Sequence, residues 1–360
     1  MLSPYNKHYR INNWSHKFPL GNLLHHKVLH TPTVSLIIPV HAGQDRKIFE
    51  LSLQSILQMQ PQPAEVILVA DGDPLPLPSF ADAGRIKQLA TYKRSGPAIA
   101  RNLGAKHAGG SILLFIDSDI VVPEDLAARV TEKFQQKQGI TALFGSYDTE
   151  PYMPNFLSQY RNLLHHFVHQ KGKEEAFTFW SGCGAIRKDI FLELGGFDGR
   201  QFPNPSIEDI ELGYRLKKAG HSIALCKDLQ VKHLKRWAPA SMIKVDFCDR
   251  ALPWTRLLLQ EKHYNNDLNL KINDRLSVVA VFLVLLSLFL GFWNITAVYS
   301  AILLLLIFIG LNVELYTFFY RQRGWWFTLK VIPWHSIFYL ISGSAFALGI
   351  IKYQMLTKTS

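Results

Sequence analysis

An apolar run, Leu113-Leu114-Phe115-Ile116, ends in Asp117-Ser118-Asp119. In extended backbone, residues i and i+2 point the same way, so the two carboxylates converge where the strand stops. Open α/β sheets bind ligands at that end of their strands, and two hard oxygen ligands there suit Mg²⁺ or Mn²⁺ bridging a diphosphate. Taken alone, the triplet reads more readily as a polar turn. Its company changes that reading. Asp71-Gly72 closes a second apolar run, Glu65–Ala70, and adds a carboxylate able to accept from a base or ribose, although Asp-Gly is also a common turn. Lys93 and Arg94 precede Gly96-Pro97, and Arg101-Asn102 follow on a predicted helix. Cations beside a helix N-terminus are what a nucleotide diphosphate requires; the alternative is a solvated helix face.

Further along, Trp180-Ser181-Gly182-Cys183-Gly184 reads as a small-residue loop that lets backbone approach a ligand. Glu208-Asp209 opens another predicted helix. Acids there also complement the helix dipole, and Ser206 to Asp209 has capping-box spacing. His233 stands three residues before Arg236-Trp237, and an imidazole is able to complete a metal's coordination. His165 and His169, with His166 between them, and His26 with His30 share the i, i+4 spacing that zinc uses. No Glu or Cys partner accompanies either pair, and an ordinary helix is the better reading.

The elements that must position these residues follow from hydrophobic periodicity. Val34–Val40 reads as a buried strand, Arg46–Gln60 as a helix with Phe49, Leu53, Ile56 and Leu57 on one face, and Glu65–Ala70 as a second strand. A helix over Ala98–Ala108, a strand over Ser111–Ile116, a helix after Pro123 and a strand near Thr141–Ser146 continue the alternation, which predicts an α/β fold. Helices over Ile186–Leu194 and Ile207–Ala219, each closed by glycine, and a strand over Ser222–Val231 complete it.

The chain has 360 residues, 48% of them hydrophobic, a formal net charge of +11 and three cysteines. This is enough for a sizeable core and excludes both a disordered tail and a disulfide-stapled miniprotein. Cys183, Cys226 and Cys248 form no CxxC pair, which suits a reducing compartment. Residues 276–313 and 331–351 carry no charged side chain. The first run would reach about 57 Å as one helix, roughly twice a ~30 Å hydrocarbon core, so it is expected to fold back, giving three transmembrane helices in all. Arg275, Arg321, Arg323 and Lys330 then place the large N-terminal part and the 321–330 loop in the cytoplasm, the expected site being the cell inner membrane. Between them, residues 239–275 mix Met242, Ile243, Phe247, Trp254, Leu257 and Leu258 with Lys244, Arg250, Arg256 and Lys262, as short interfacial helices do. No Lys/Arg-rich block is interleaved with aromatics. The basic excess therefore points to anionic lipid or a phosphorylated substrate, and no nucleic acid is expected.

Six motifs in order resemble the family 2 glycosyltransferases of the GT-A fold: Val34-Ser-Leu-Ile-Ile-Pro-Val40, Val69-Ala-Asp-Gly72, Gly96-Pro-Ala-Ile-Ala-Arg-Asn102, Asp117-Ser-Asp119, Ser181-Gly-Cys-Gly-Ala-Ile-Arg187 with Leu194-Gly-Gly-Phe-Asp198, and Glu208-Asp-Ile-Glu-Leu-Gly-Tyr-Arg215. The resemblance implies a GT-A domain over 34–238 with a mostly parallel mixed sheet, preceded by a basic arm (1–33). Interfacial helices (239–275), a membrane domain (276–351) and a short tail (352–360) would follow. It also implies a UDP- or GDP-sugar donor held by Pro39, Asp71, Arg94, Arg101, Asn102, Asp117 and Ser118, with Mg²⁺ or Mn²⁺ on Asp117, Asp119 and His233. Asp209 would be the catalytic base with Glu208 beside it, and Trp180, Gly182, Cys183, Arg236 and Trp237 would line the acceptor side. The expected reaction is inverting, metal-dependent sugar transfer to a lipid or lipid-linked acceptor. His233 to Trp237 looks like a variant of the QxxRW motif of processive polysaccharide synthases. Such a synthase, or an inactive membrane scaffold of the same fold, is the alternative; the oligomeric state is open.

Overall fold

Val34–His41 forms β1, buried along its first seven residues. Its alternate side chains serve two layers, as extended backbone dictates. Leu36, Ile38 and Val40 pack with Phe49, Leu53 and Ile56 of α1 (Arg46–Leu57) and with Leu126, Val130 and Phe134 of α3 (Leu126–Gln136), while Ile37 faces the opposite layer. That second layer is closed by Ala98, Ala100 and Ala105 of α2 (Pro97–His107), Phe191 of α5 (Lys188–Glu193), and Leu212 and Leu216 of α6 (Glu208–Lys218). Helices on both faces leave the sheet no wet side, so its strands are near-continuous apolar runs.

The computed structural model describes residues 31–261 and 271–358. Nearly all of the 1–33 arm lies outside the described residues, as do His26, His30 and Lys262. The remaining strands are β2 (Glu65–Asp71), β3 (Ile86–Ala90), β4 (Ile112–Ile116), β5 (Ile120–Val121), β6 (Ile140–Tyr147), β7 (Cys183–Arg187) and β8 (Ser222–His233). The described strands form one sheet in the order β3-β2-β1-β4-β7-β6-β8-β5. Neighbours from β3 to β4 run parallel, β7 runs antiparallel to β4 and β6, and β6 is parallel to β8. This is the mixed α/β sheet expected for a GT-A domain. Pro39 is buried in β1. The β1–β4 ladder ends at Ile37 opposite Phe115, whereas the β1–β2 ladder runs on to His41 opposite Asp71. Proline has no N–H to give, and it sits just past the point where β1 and β4 part.

One predicted element is corrected. The segment expected as a helix from Ile186 begins as strand β7 and turns helical only at Lys188, because Cys183–Arg187 pairs with both β4 and β6. The short β3 and β5 were not expected, since neither carries an alternating run long enough to register.

After β8 come α7 (Pro239–Lys244), a π-helical stretch (Val245–Ala251) and α8 (Leu252–Glu261). These helices exist as expected, but their apolar anchors do not all face outward. Met242, Leu257 and Leu258 are buried, and the Trp334 indole N–H donates to the Met242 sulfur at 3.2 Å. Arg161 of α4 (Phe156–Gln170) pairs with Asp246 at 2.7 Å, and Ser206 donates to the Asp249 carbonyl. The segment is therefore wedged between the sheet-bearing layers and the C-terminal helices.

Those helices are α9 (Ile272–Leu290), α10 (Ile295–Leu311) and α11 (Val313–Lys358), the last broken at Gly324, whose φ of 77° is left-handed. The first apolar run does fold back at 291–294. Two helices, Ile272–Leu290 and Val313–Met355, are long and apolar enough to cross a membrane, and less than a quarter of either is buried inside the protein. The span expected from the second half of the 276–313 run, α10, has 17 residues, or about 26 Å, short of a ~30 Å core. Asn312 donates to Ser277, and the Tyr339 hydroxyl, with one hydrogen to give, lies within reach of the acceptor oxygens of Asp274 and Asn312, so polar contacts tie the three together.

Candidate active site

Arg101, on the buried face of α2, reaches between two carboxylates. One nitrogen donates to Asp117 at 2.7 Å and another to Glu208 at 2.9 Å. Arg101 and Glu208 are each about 5% exposed, while a third of the Asp117 side chain remains open. Burial would lower the guanidinium's pKa, but the two carboxylates overcome it and hold Arg101 above its ordinary value. Glu208 is pushed up by burial despite Arg101. Both expected roles change in consequence. The two terminal nitrogens of Arg101 are turned to carboxylates inside the protein while its Nε has no partner among the described residues, and Glu208, which also accepts from the Ser206 N–H, is the buried partner of that guanidinium. Asn102 is corrected on similar grounds: it donates to the Phe197 carbonyl at 2.7 Å and accepts from the Phe197 N–H at 2.9 Å, pinning the turn after Gly195-Gly196.

Asp119 lies 3.5 Å from His233 Nε2. Burial raises the carboxyl's pKa, but His233 and Lys235 more than offset this and hold it below the ordinary value, whereas Asp117 is pushed up by burial. His233 stacks on Tyr147 at 4.4 Å and 10° between planes, and Tyr147 packs against Trp180 and His165. No group of three His, Cys, Asp or Glu able to hold a metal occurs among the described residues, and Asp117 of the expected trio has one of its two oxygens on Arg101. Asp119 and His233 remain as two donors at the strand end. That set fits a cation of the Mg²⁺ or Mn²⁺ kind, which is commonly held by one or two protein groups together with substrate phosphates.

Asp71, at the end of β2, accepts from the Ser95 N–H at 2.7 Å and from the Gly96 N–H at 3.0 Å. It thereby fixes the loop that carries Lys93 and Arg94, both exposed, into α2. Gly96 is required there, since its φ is +86° and a Cβ would stand 2.2 Å from the Pro203 carbonyl oxygen. Asp71→Ala is expected to speed amide hydrogen exchange at Ser95 and Gly96 by at least about tenfold, the worth of one charge-assisted bond. Unchanged exchange at both amides would show that the carboxylate does not hold the loop. His41, at the end of β1, was not anticipated; burial and Arg94 lower its pKa against the opposing pull of Asp71.

Asp209, in the first turn of α6, accepts from both the backbone N–H and the hydroxyl of Ser181, at 3.0 and 3.1 Å, and from the Ile210 N–H at 2.8 Å. These bonds orient the carboxylate beside the turn that leads into β7. Gly182 within that turn has no room for a side chain, because a Cβ would meet the Trp180 ring at 2.5 Å, and its carbonyl accepts from the Asp117 N–H. Cys183 and Trp237 depart from the acceptor-side expectation. Cys183 lies on β7 with its side chain in the sheet core, where burial pushes the thiol up to about 12. Trp237 is 5% exposed in a cluster shared with the C-terminal helices. Trp180 and Gly182 do stand near Asp117 and Asp209, Ser118 is buried between the two acids, and Arg236 is exposed.

Two partners escaped the sequence reading, Ser181 at Asp209 and Tyr147 under His233, while His165 and Arg250 were named there only for histidine spacing and for interfacial charge. Burial lowers the Arg250 pKa, and the neighbouring charges that follow Arg161 and Asp246 in weight are those of Tyr147 and Asp209. No spacing in the sequence flags either of the two partners.

Residues 35–195 match the model of the glycosyl transferase family 2. The chain is similar to an uncharacterised glycosyltransferase of Rickettsia felis, 31% identical over 131 residues covering 36% of this chain and 21% of that one. It also resembles a glucosyl-dolichyl phosphate glucuronosyltransferase of Haloferax volcanii, 21% identical over 46% of this chain and 56% of that one. A mannosyltransferase of Pyrobaculum calidifontis, solved with GDP-Man and Mn²⁺, is 16% identical, covers 88% of each chain and superposes with a TM-score of 0.49. The chain spans between 15% and 21% of the length of the relatives first matched. With the strand-end acids and the mixed sheet in place, residues 35–195 are similar to the glycosyl transferase family 2 over somewhat less than half of this chain.

Proposed function

We propose that the chain is a membrane-anchored, inverting glycosyltransferase that moves a sugar from a UDP- or GDP-sugar to a lipid or lipid-linked acceptor. The observation that carries this reading is the free face of Asp119 with His233 at the sheet's carboxyl edge, opposite an Asp209 oriented by Ser181. Asp119 and His233 would hold a divalent cation, which when bound offsets negative charge on a leaving diphosphate. Arg94 and Lys93 on the exposed loop receive the donor phosphates, and Asp71 keeps that loop in place. Asp209 takes the proton of an acceptor hydroxyl attacking from the face opposite the leaving group. No covalent enzyme intermediate is needed, because the nucleophile is the acceptor itself.

Two outwardly apolar helices that pack on the catalytic unit support membrane anchoring, with the domain on the cytoplasmic side by the positive residues that flank them. The Haloferax relative, named for a dolichyl phosphate substrate, supports a lipid acceptor. The test is release of UDP or GDP by the purified full chain, supplied with each nucleotide-sugar, Mg²⁺ or Mn²⁺ and a lipid-extract acceptor. Asp119→Ala is expected to abolish the metal-dependent release while leaving the far-ultraviolet circular dichroism unchanged. Full release by that variant, still sensitive to EDTA, would remove Asp119 from the metal role.

A further inference from the structure

A cavity of about 520 Å³ lies where α4, the π-helical stretch, α8, α9 and α11 meet. That is ample for a lipid headgroup and the start of its chain. One side is lined by Arg161, His165, Asp246 and Arg250, and the membrane-type helices line the other with Val278, Val279 and Phe346 together with the charged Asp274 and Arg275. The two arginines of the first side differ in their pairing. Arg161 is neutralised by Asp246, but Arg250, which is open to the cavity, has neither a hydrogen bond nor an ion pair among the described residues. The His165 Nδ1 is buried with no hydrogen-bond partner among the described residues. The histidines do not supply the positive charge: burial lowers His169 to about 4 and takes His165 well below its ordinary value, so both are neutral imidazoles at pH 7. A guanidinium with no ion-pair partner of its own among the described residues, open to a cavity that is also lined by apolar side chains of the membrane-type helices, suits an amphiphile with an anionic head.

We infer that this cavity binds the phosphate headgroup of the acceptor lipid on Arg250, with the lipid chain leaving between α9 and α11. The inference rests on the glycosyltransferase reading and adds the chemical class of its acceptor. The cavity adjoins the site through His165, which touches Tyr147 and Trp180, the latter beside the Ser181–Asp209 pair. A phosphate anchored on Arg250 therefore acts as a handle, and a hydroxyl of a sugar linked to it is the group delivered toward Asp209.

The experiment uses the full chain in neutral phosphatidylcholine nanodiscs, without nucleotide, titrated with dodecyl phosphate against empty discs, bound lipid being counted by native mass spectrometry. Dodecyl phosphate is expected to bind once per chain, at least about tenfold more tightly than dodecanol, and Arg250→Gln is expected to weaken it by at least about tenfold. Arg250→Lys, which keeps the charge, should restore most of the affinity. Inorganic phosphate at millimolar concentration should not displace the lipid. Equal binding of dodecanol would mean a merely apolar cavity, displacement by inorganic phosphate would mean a free-anion site, and unchanged binding in Arg250→Gln would place the headgroup elsewhere. Each of these overturns the inference. Binding without any nucleotide-sugar turnover would leave it standing and remove the enzymatic reading, whereas turnover without dodecyl phosphate binding would do the reverse.

Discussion

Arg101→Met is expected to destabilise the protein by about 3–5 kcal/mol, the usual cost of removing one partner from a buried ion pair. Methionine fills much of the same volume, so the loss is chiefly that of charge. Glu208 bears most of it, because that carboxylate is 5% exposed and its other bond is to the Ser206 N–H, while Asp117 is open enough to be rehydrated. Urea unfolding followed by tryptophan fluorescence measures the effect. The pH dependence gives a second check. Burial already holds Glu208 above its ordinary pKa in the folded state, and losing Arg101 raises it further. A group with a raised folded pKa favours the native state when protonated, a contribution present at low pH and lost as pH rises through that pKa. The deficit of Arg101→Met should therefore be smaller at about pH 5 than at about pH 8. Glu208→Gln in the same chain should recover part of it. A variant as stable as the wild type at both pH values would show that Arg101 does not carry the pair.

Asp209→Asn is expected to cost at least about 10²-fold in turnover with a hydroxyl acceptor, the low end for general base catalysis, with donor affinity within about threefold of wild type. The substitution also disturbs a hydrogen bond, because the oxygen that accepts twice from Ser181 becomes, in one orientation of the amide, a donor. Ser181→Ala separates the two effects: it removes the hydroxyl bond but leaves the base, and only a few-fold loss is expected. Equal loss of donor binding and turnover in Asp209→Asn would mean that the residue shapes the donor pocket instead. With a lipid phosphate as direct nucleophile there is no proton to take, so retention of turnover on such an acceptor, with loss on hydroxyl acceptors, would define the acceptor chemistry as well as the base.

The alternation of strands and helices, the placing of Asp71, Asp117 and Asp119 at the sheet's carboxyl edge, and the fold-back of the apolar run at 291–294 were legible in the residue order. Each depends on a pattern contained within a short stretch of chain: a continuous buried run in β1, burial every third or fourth position in α1, and a length of apolar chain too great for one crossing. Partner choice was not legible. Arg101 and Glu208 are 107 positions apart, and nothing local to either says that the guanidinium is spent inside the protein and not on a phosphate. The same holds for Asn102 against Phe197, Asp71 against Ser95 and Gly96, and Trp237 against the C-terminal helices. The side chain of Cys183 followed β7 into the core because a strand's pleat, set by its neighbours, decides which way a residue points. Arg250 illustrates the limit best. On the sequence it is one of several cations in an interfacial stretch; only the packing of α4 against the segments flanking α8 sets it in a cavity beside the Arg161–Asp246 pair with no ion-pair partner of its own among the described residues, because a charge is unpaired only with respect to everything the fold has brought near it.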